Sequence, residues 1–311
     1  MRTNRPRSNP GDAGKAPAAA PTSAAPSRAA DPAPDHVLPI LQPPYAALAA
    51  HYDTVMEHVD YPAWSRHLRG LWRVARGRAA RPRRVLELAA GTCRLATYPL
   101  FPEAFTVHTD LSPYMLRAAV PARPGEPLLR AQNNAPPIRA ACDARHLPFR
   151  GAAEDDSGQN GGVGFDLVVM VYDSLNYLTR PEDVRRVFDE ARRVLAPGGV
   201  FLFDVTTAAC SRRWFADTLD FQETAAGSVV RASRYDARSR TQLNLFTFFT
   251  AGPDGRYDRT EEVHRQRIWP AAFLKKTARA AGFSVRACLA DFTLKPGTDR
   301  HDRLHFILQS P

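Results

Sequence analysis

Residues 84–96 read Arg-Val-Leu-Glu-Leu-Ala-Ala-Gly-Thr-Cys-Arg-Leu-Ala, and this stretch limits the fold more than any other. Residues 85–89 form a short apolar run ending in small side chains. That pattern predicts a buried parallel strand breaking into a tight turn, with a helix starting near Arg94. Ala89, Ala90 and Gly91 let the backbone approach a ligand closely, and the new helix turns unpaired N–H groups and a positive dipole end toward it. A second run, 105–109, ends at Asp110, whose acceptor-only carboxylate suits both hydroxyls of a ribose. Together the two edges describe a nucleoside site. G-x-G-x-x-G is absent, which weighs against a pyrophosphate turn.

The same strand signal returns downstream. Ser112 and Pro113 start a helix running to about Val120, and 121–137 is a polar, Pro-rich connection. A third strand, 138–142, ends at Asp143 and Ala144. After a Gly-rich loop at 151–164 comes a buried strand, 165–172, whose carboxyl end carries Asp173, Asn176 and Tyr177 where an open α/β sheet holds its ligand. Thr179 and Glu182 predict a capping box for a helix with the stripe Val184, Val187, Phe188, Ala191, Val194 and Leu195. Pro197, Gly198 and Gly199 end that helix before a fifth strand, 200–205. Between 207 and 269 the pattern changes to half-exposed strands joined by polar turns. A helix from Pro270 to Gly282 and two last strands, 283–289 and 303–308, close the chain. The expectation is α/β: a Rossmann-like seven-stranded sheet, mostly parallel with a closing antiparallel hairpin, and a small antiparallel β lid inserted after strand five. Residues 1–37, rich in Pro and Ala, are expected to be a disordered tail. Residues 38–206 with 270–311 would form the main domain and 207–269 the lid.

Glu87-x-Ala89-x-Gly91-x-Cys93 resembles the first motif of class I S-adenosylmethionine (SAM) dependent methyltransferases, and Asp110-Leu111-Ser112-Pro113-Tyr114-Met115-Leu116 resembles their second. The stretch 173–178, Asp-Ser-Leu-Asn-Tyr-Leu, and the aromatic segment 45–53 are similar to the YqeM-like subgroup. The family usually has glycine where this chain has Cys93, and a side chain there would narrow the amino-acid end of the cofactor site. The resemblance implies SAM as cofactor, with Glu87 orienting its amino-acid end or the turn itself, Asp110 holding the ribose and Asp143 the adenine. Ala89, Gly91, Leu111, Met115 and Ala144 are further cofactor contacts, Tyr45, Tyr52 and Asp53 would cap the site, and Tyr172 would stand between cofactor and acceptor. On the acceptor side stand Asp173, Tyr177 and His264 as catalytic candidates, with Asn176 and Arg267 as substrate contacts. His264 is the first choice of general base, because a histidine titrates near neutrality.

The four cysteines show no C-x-x-C pairing, so neither a zinc site nor a disulfide framework is indicated, which fits a reducing cytoplasm. No apolar run approaches the ~20 residues of a membrane span. Much of the net charge of +10 gathers in one run: Arg66, Arg69, Arg73, Arg76, Arg78, Arg81, Arg83 and Arg84, without an intervening carboxylate. Its first four members recur at helical spacing, opposite Trp64, Leu68, Leu71 and Trp72. A solvated helix face explains the run, and an RNA surface is the alternative. An enclosing lid favours a small-molecule acceptor with an N or O nucleophile; an RNA acceptor stays open. A nicotinamide oxidoreductase and a non-catalytic binding protein of the same fold are the rivals from other classes.

Overall fold

The structure, a computed structural model, describes residues 40–118, 138–150 and 164–311. The tail expected at 1–37, the connection at 121–137 and the loop at 151–163 lie outside the described residues. Strands β2 (Arg84–Leu88), β3 (Phe105–Asp110), β4 (Ile138–Ala141), β5 (Phe165–Met170) and β6 (Leu195–Thr206) run parallel. With β11 (Ser284–Ala290) and β12 (Arg303–Gln309) they form one seven-stranded sheet, ordered β11-β12-β6-β5-β2-β3-β4. β12 is antiparallel to both its neighbours, the closing hairpin that the sequence predicts.

Side chains alternate across this sheet, and each face meets its own helices. Val85, Leu167, Val169 and Leu202 pack on Trp64, Leu68, Leu71 and Trp72 of α2 (Tyr61–Arg76). On the other face Leu86, Leu88, Val168 and Phe203 meet Val184, Val187 and Phe188 of α4 (Pro181–Val194) and Leu274 of α6 (Ala271–Ala280). α2 starts where the Asp60 carboxylate accepts from Ala63 N at 2.8 Å, and it keeps Arg66, Arg73 and Arg76 on its exposed side. The capping box expected at Thr179 does not form. Arg180 is extended, as a residue before proline prefers to be, so the helix begins at Pro181 with no side-chain cap. β6 likewise starts directly at Leu195 and runs through Gly198, whose φ of +70° suits glycine.

A second sheet has the order β1-β10-β9-β8-β7. β7 (Thr218–Thr224), β8 (Gly227–Asp236), β9 (Thr241–Ala251) and β10 (Tyr257–Arg267) form an antiparallel meander after α5 (Ala208–Trp214). Its edge is completed by β1 (Ile40–Gln42), parallel to β10, so the sheet reaches outside the 207–269 stretch. Val229, Phe246 and Phe248 on its inner face pack on Leu48 of α1 (Leu48–Val55). Among the described residues no helix is long and apolar enough to cross a membrane.

Candidate active site

β2 stops at Leu88, and Ala89, Gly91 and Cys93 take φ of +52°, +59° and +58°. A single 3-10 turn, Arg94–Thr97, follows in place of the expected helix. The turn is braced from β3: Ala90 N donates to Thr109 O at 2.8 Å, and Gly91 N to the Asp110 carboxylate at 2.8 Å. The other Asp110 oxygen accepts from Ser112 N at 2.7 Å, just before α3 (Pro113–Ala118). Burial pushes the Asp110 carboxyl up, and these two N–H groups partly offset it. A Cβ at position 91 would stand 3.2 Å from the Met115 methyl, so glycine keeps this passage open. Cys93 is buried with its sulfur 3.9 Å from Gly91 O, and it does not line the cavity. The narrowing expected from its side chain is therefore absent, and the left-handed φ explains why glycine suits the position.

Above the carboxyl ends of β2, β3, β4 and β5 lies a cavity of about 880 Å³. Glu87, Ala89 and Gly91 form one part of its wall, and Asp110, Leu111 and Met115 the next. Glu87 is 4 % exposed and 2.5 Å from His108 Nδ1. Asp143 and Ala144 also line the cavity, but both Asp143 oxygens are engaged by the Arg145 guanidinium at 2.7–3.0 Å, which holds that carboxyl below the usual range. Tyr45, Tyr52, Tyr61, Tyr172 and Tyr177 make the remaining wall strongly aromatic. Asp53 accepts from the Thr92 hydroxyl at 2.6 Å and lies 3.8 Å from Arg94, tying α1 to the turn without lining the cavity.

β10 backs this wall with alternate residues. Glu262, His264 and Gln266 point inward and are buried, while Val263 and Arg265 are exposed. Tyr177 lies 3.0 Å from His264 Nδ1, and His264 Nε2 lies 2.9 Å from Glu262. Glu262 in turn accepts from Tyr45 N at 2.8 Å, Leu48 N at 3.0 Å and Ala47 N. His264 is fully buried, packed edge-on against Tyr45 and Phe246, so it reaches the cavity through Tyr177 and does not line it.

Three expected acceptor-side residues stand elsewhere. Asp173 is behind the wall, taken up by Arg303 at 2.9 Å and Gln266 Nε2 at 2.7 Å. Asn176 is fully buried: its side chain donates to Arg267 O at 2.8 Å and accepts from Thr206 N at 3.1 Å, which leaves it for the backbone and not for a ligand. Arg267 has the opposite parity to His264, and its guanidinium lies over the Trp269 ring at 5.3 Å. The sequence reading missed Tyr61, Arg94 and Arg145 in the wall. Tyr61 heads the amphipathic α2, but nothing in local periodicity marks the other two.

A family model described as a methyltransferase domain matches residues 86–203. YqeM of Bacillus subtilis (strain 168), which carries a provisional methyltransferase name, is 29% identical over 269 residues, covering 85% of this chain and 96% of that protein. A similarly named protein of Geobacillus sp. (strain WCH70) is 27% identical over 264 residues, covering 85% of this chain and 98% of its own length. The solved structure of a SAM-dependent methyltransferase from Clostridium acetobutylicum ATCC 824 shares the fold, with a TM-score of 0.64, 22% identity and coverage of 86% of this chain and 98% of that one. The chain is a class I SAM-dependent methyltransferase. Within that class it is YqeM-like.

The residues present fit the cofactor. Small residues at 89–91 leave a passage that a Cβ at position 91 would crowd, and a half-buried carboxylate at Asp110 stands at the next strand end. A wall of tyrosine faces suits a sulfonium cation.

Proposed function

We propose that this methyltransferase acts on a nitrogen or oxygen nucleophile of a small-molecule acceptor. The carrying observation is the chain Tyr177–His264–Glu262, which opens on the cavity only at its tyrosine end. In this reading Ala89, Gly91 and Glu87 hold the amino-acid end of SAM, Asp110 the ribose, Leu111 and Met115 its flank, and Asp143 with Ala144 the adenine edge. The smaller sheet with α1 serves as the lid, and Tyr45, Tyr52 and Tyr172 close the site. When bound, SAM supplies a methyl group activated by its sulfonium.

The chain's own residues position, dry the site and move a proton. Tyr177 accepts the proton of the nucleophile at its phenol oxygen while donating its own to His264 Nδ1, and Glu262 holds the ring through Nε2. Burial pushes the Tyr177 phenol up, so it serves as a relay and not as a standing phenolate. A small acceptor is favoured over RNA because the later part of the arginine run, Arg76 to Arg84, sits at the other end of the sheet. Arg83 and Arg84 precede and begin β2 with their N–H groups on Asp166, and Arg76 reaches Gly198 O near the start of β6.

Radiolabelled methyl transfer into fractionated metabolite and RNA pools tests the acceptor class, with label expected in the metabolite fraction. With the acceptor in hand, Tyr177→Phe is expected to lower kcat by about 10²- to 10⁴-fold while S-adenosylhomocysteine binding stays within about 2-fold. Full turnover by that variant would remove the relay. Calorimetry without heat for SAM or S-adenosylhomocysteine would remove the whole reading, and binding without turnover would leave a non-catalytic binder.

A further inference from the structure

A second hollow of about 250 Å³ opens between α5, the turn joining β8 to β9, and the junction of β10 with α6. None of its lining residues lines the tyrosine-walled cavity. Arg212, Arg240 and Tyr235 give it a polar side, and Ile268, Trp269 and Pro270 an apolar one. Arg212 and Arg240 are exposed, and neither guanidinium has a hydrogen bond or ion pair among the described residues. A third cation, Arg267, lies over the Trp269 ring with its Nε buried and without a partner. Arg212, Arg240 and Tyr235 line the hollow together, whereas Arg267 stands behind Trp269 and does not line it.

Nearby acids offset only part of this charge. Asp299 lines the hollow, but one of its oxygens already accepts from Ala271 N at 3.0 Å at the start of α6. Asp236 is folded into its own turn, accepting from Arg238 N, Ser239 N and the Ser239 hydroxyl. Two exposed guanidinium groups without a partner among the described residues leave the hollow electropositive, and guanidinium groups match the paired oxygens of phosphate and carboxylate. We propose that this hollow is a second ligand site, binding the phosphate or carboxylate group of a small molecule apart from the methyl-transfer cavity. Its volume admits a group of roughly eight non-hydrogen atoms, too few for a nucleotide.

The test is titration calorimetry of the full chain with inorganic phosphate and, in parallel, acetate, with chloride adjusted to constant ionic strength. Saturable binding of one or both is expected, and the stronger of the two identifies the group. In Arg212→Gln/Arg240→Gln that affinity should fall at least about 10-fold, while S-adenosylhomocysteine still binds as in the parent. Because both side chains are exposed, folding should survive, and S-adenosylhomocysteine binding certifies it independently of the hollow. No saturable binding of either anion by the parent chain overturns the proposal, and so does equal binding by the double variant.

Discussion

Cys93 shows how much of a site depends on one backbone angle. Its φ of +58° belongs to the left-handed region, which costs a non-glycine residue about 1–2 kcal/mol, and the buried sulfur returns a comparable amount of packing. Cys93→Gly should therefore change stability by no more than about 1 kcal/mol and S-adenosylhomocysteine affinity by less than about 2-fold, checked by urea unfolding and calorimetry. Burial pushes the thiol up to about 12, so it should also resist alkylation until the chain unfolds. At this scale the sequence was readable where a residue type has few uses: Gly91 at a crowded turn and Asp110 at a strand end. It was unreadable where partners come from far away in the chain. Asp173 and Asn176 sit in the D-S-L-N-Y-L stretch beside the cavity, yet Arg303 and the backbone of Thr206 and Arg267 claim them.

Among the elements, α1 takes its N-terminal cap from a distant part of the chain. Its N-cap, Ala47, offers no side-chain oxygen, and the carboxylate of Glu262 on β10 takes the N–H groups of Tyr45, Ala47 and Leu48 instead. A fully buried carboxylate with this many donors is well satisfied, and removing it orphans them. Glu262→Ala should cost about 3 kcal/mol in urea unfolding. Hydrogen exchange should locate the damage, with amides of residues 48–55 losing protection before those of α4. The alternation of β10 was evident in its sequence, but its parity was not. A one-residue shift decides whether the inward set is Glu262, His264 and Gln266 or Arg265 and Arg267, and only packing against α1 and Tyr177 fixes that choice.

At the scale of the whole molecule, one source of acid sensitivity lies where α2 crosses β12. His305 is fully buried, neither ring nitrogen has a hydrogen-bond partner among the described residues, and His67 packs against it at 4.5 Å. Burial, with His67 and Arg303 adding to it, pushes its pKa well below 6.5. The native state thus keeps His305 neutral while the unfolded chain takes up a proton below pH 6.5. Its stabilising contribution is present above that pH and is lost as pH falls, by about 1.4 kcal/mol per unit. Asp204, opposite His305 in register and pushed up to about 6 by burial, works in the other direction. The comparison with His305→Phe isolates the histidine: between pH 6.5 and 5 the parent should lose about 1.4 kcal/mol more per unit than the variant, read from urea midpoints.

The parallel order of the main sheet was visible in the alternation of apolar runs, because each crossover repeats one local grammar. That β1 would join the edge of the smaller sheet was not, since three residues carry no such signal. The pairing of β1 with β10 joins positions separated by more than two hundred residues. On a translating ribosome the earliest of these segments must wait, unpaired, until Glu262 leaves the exit tunnel. A nascent chain therefore completes the Tyr45 and Tyr52 side of the cavity only near the end of synthesis, and a fragment released early would carry the glycine turn without the carboxylate that holds that side in place.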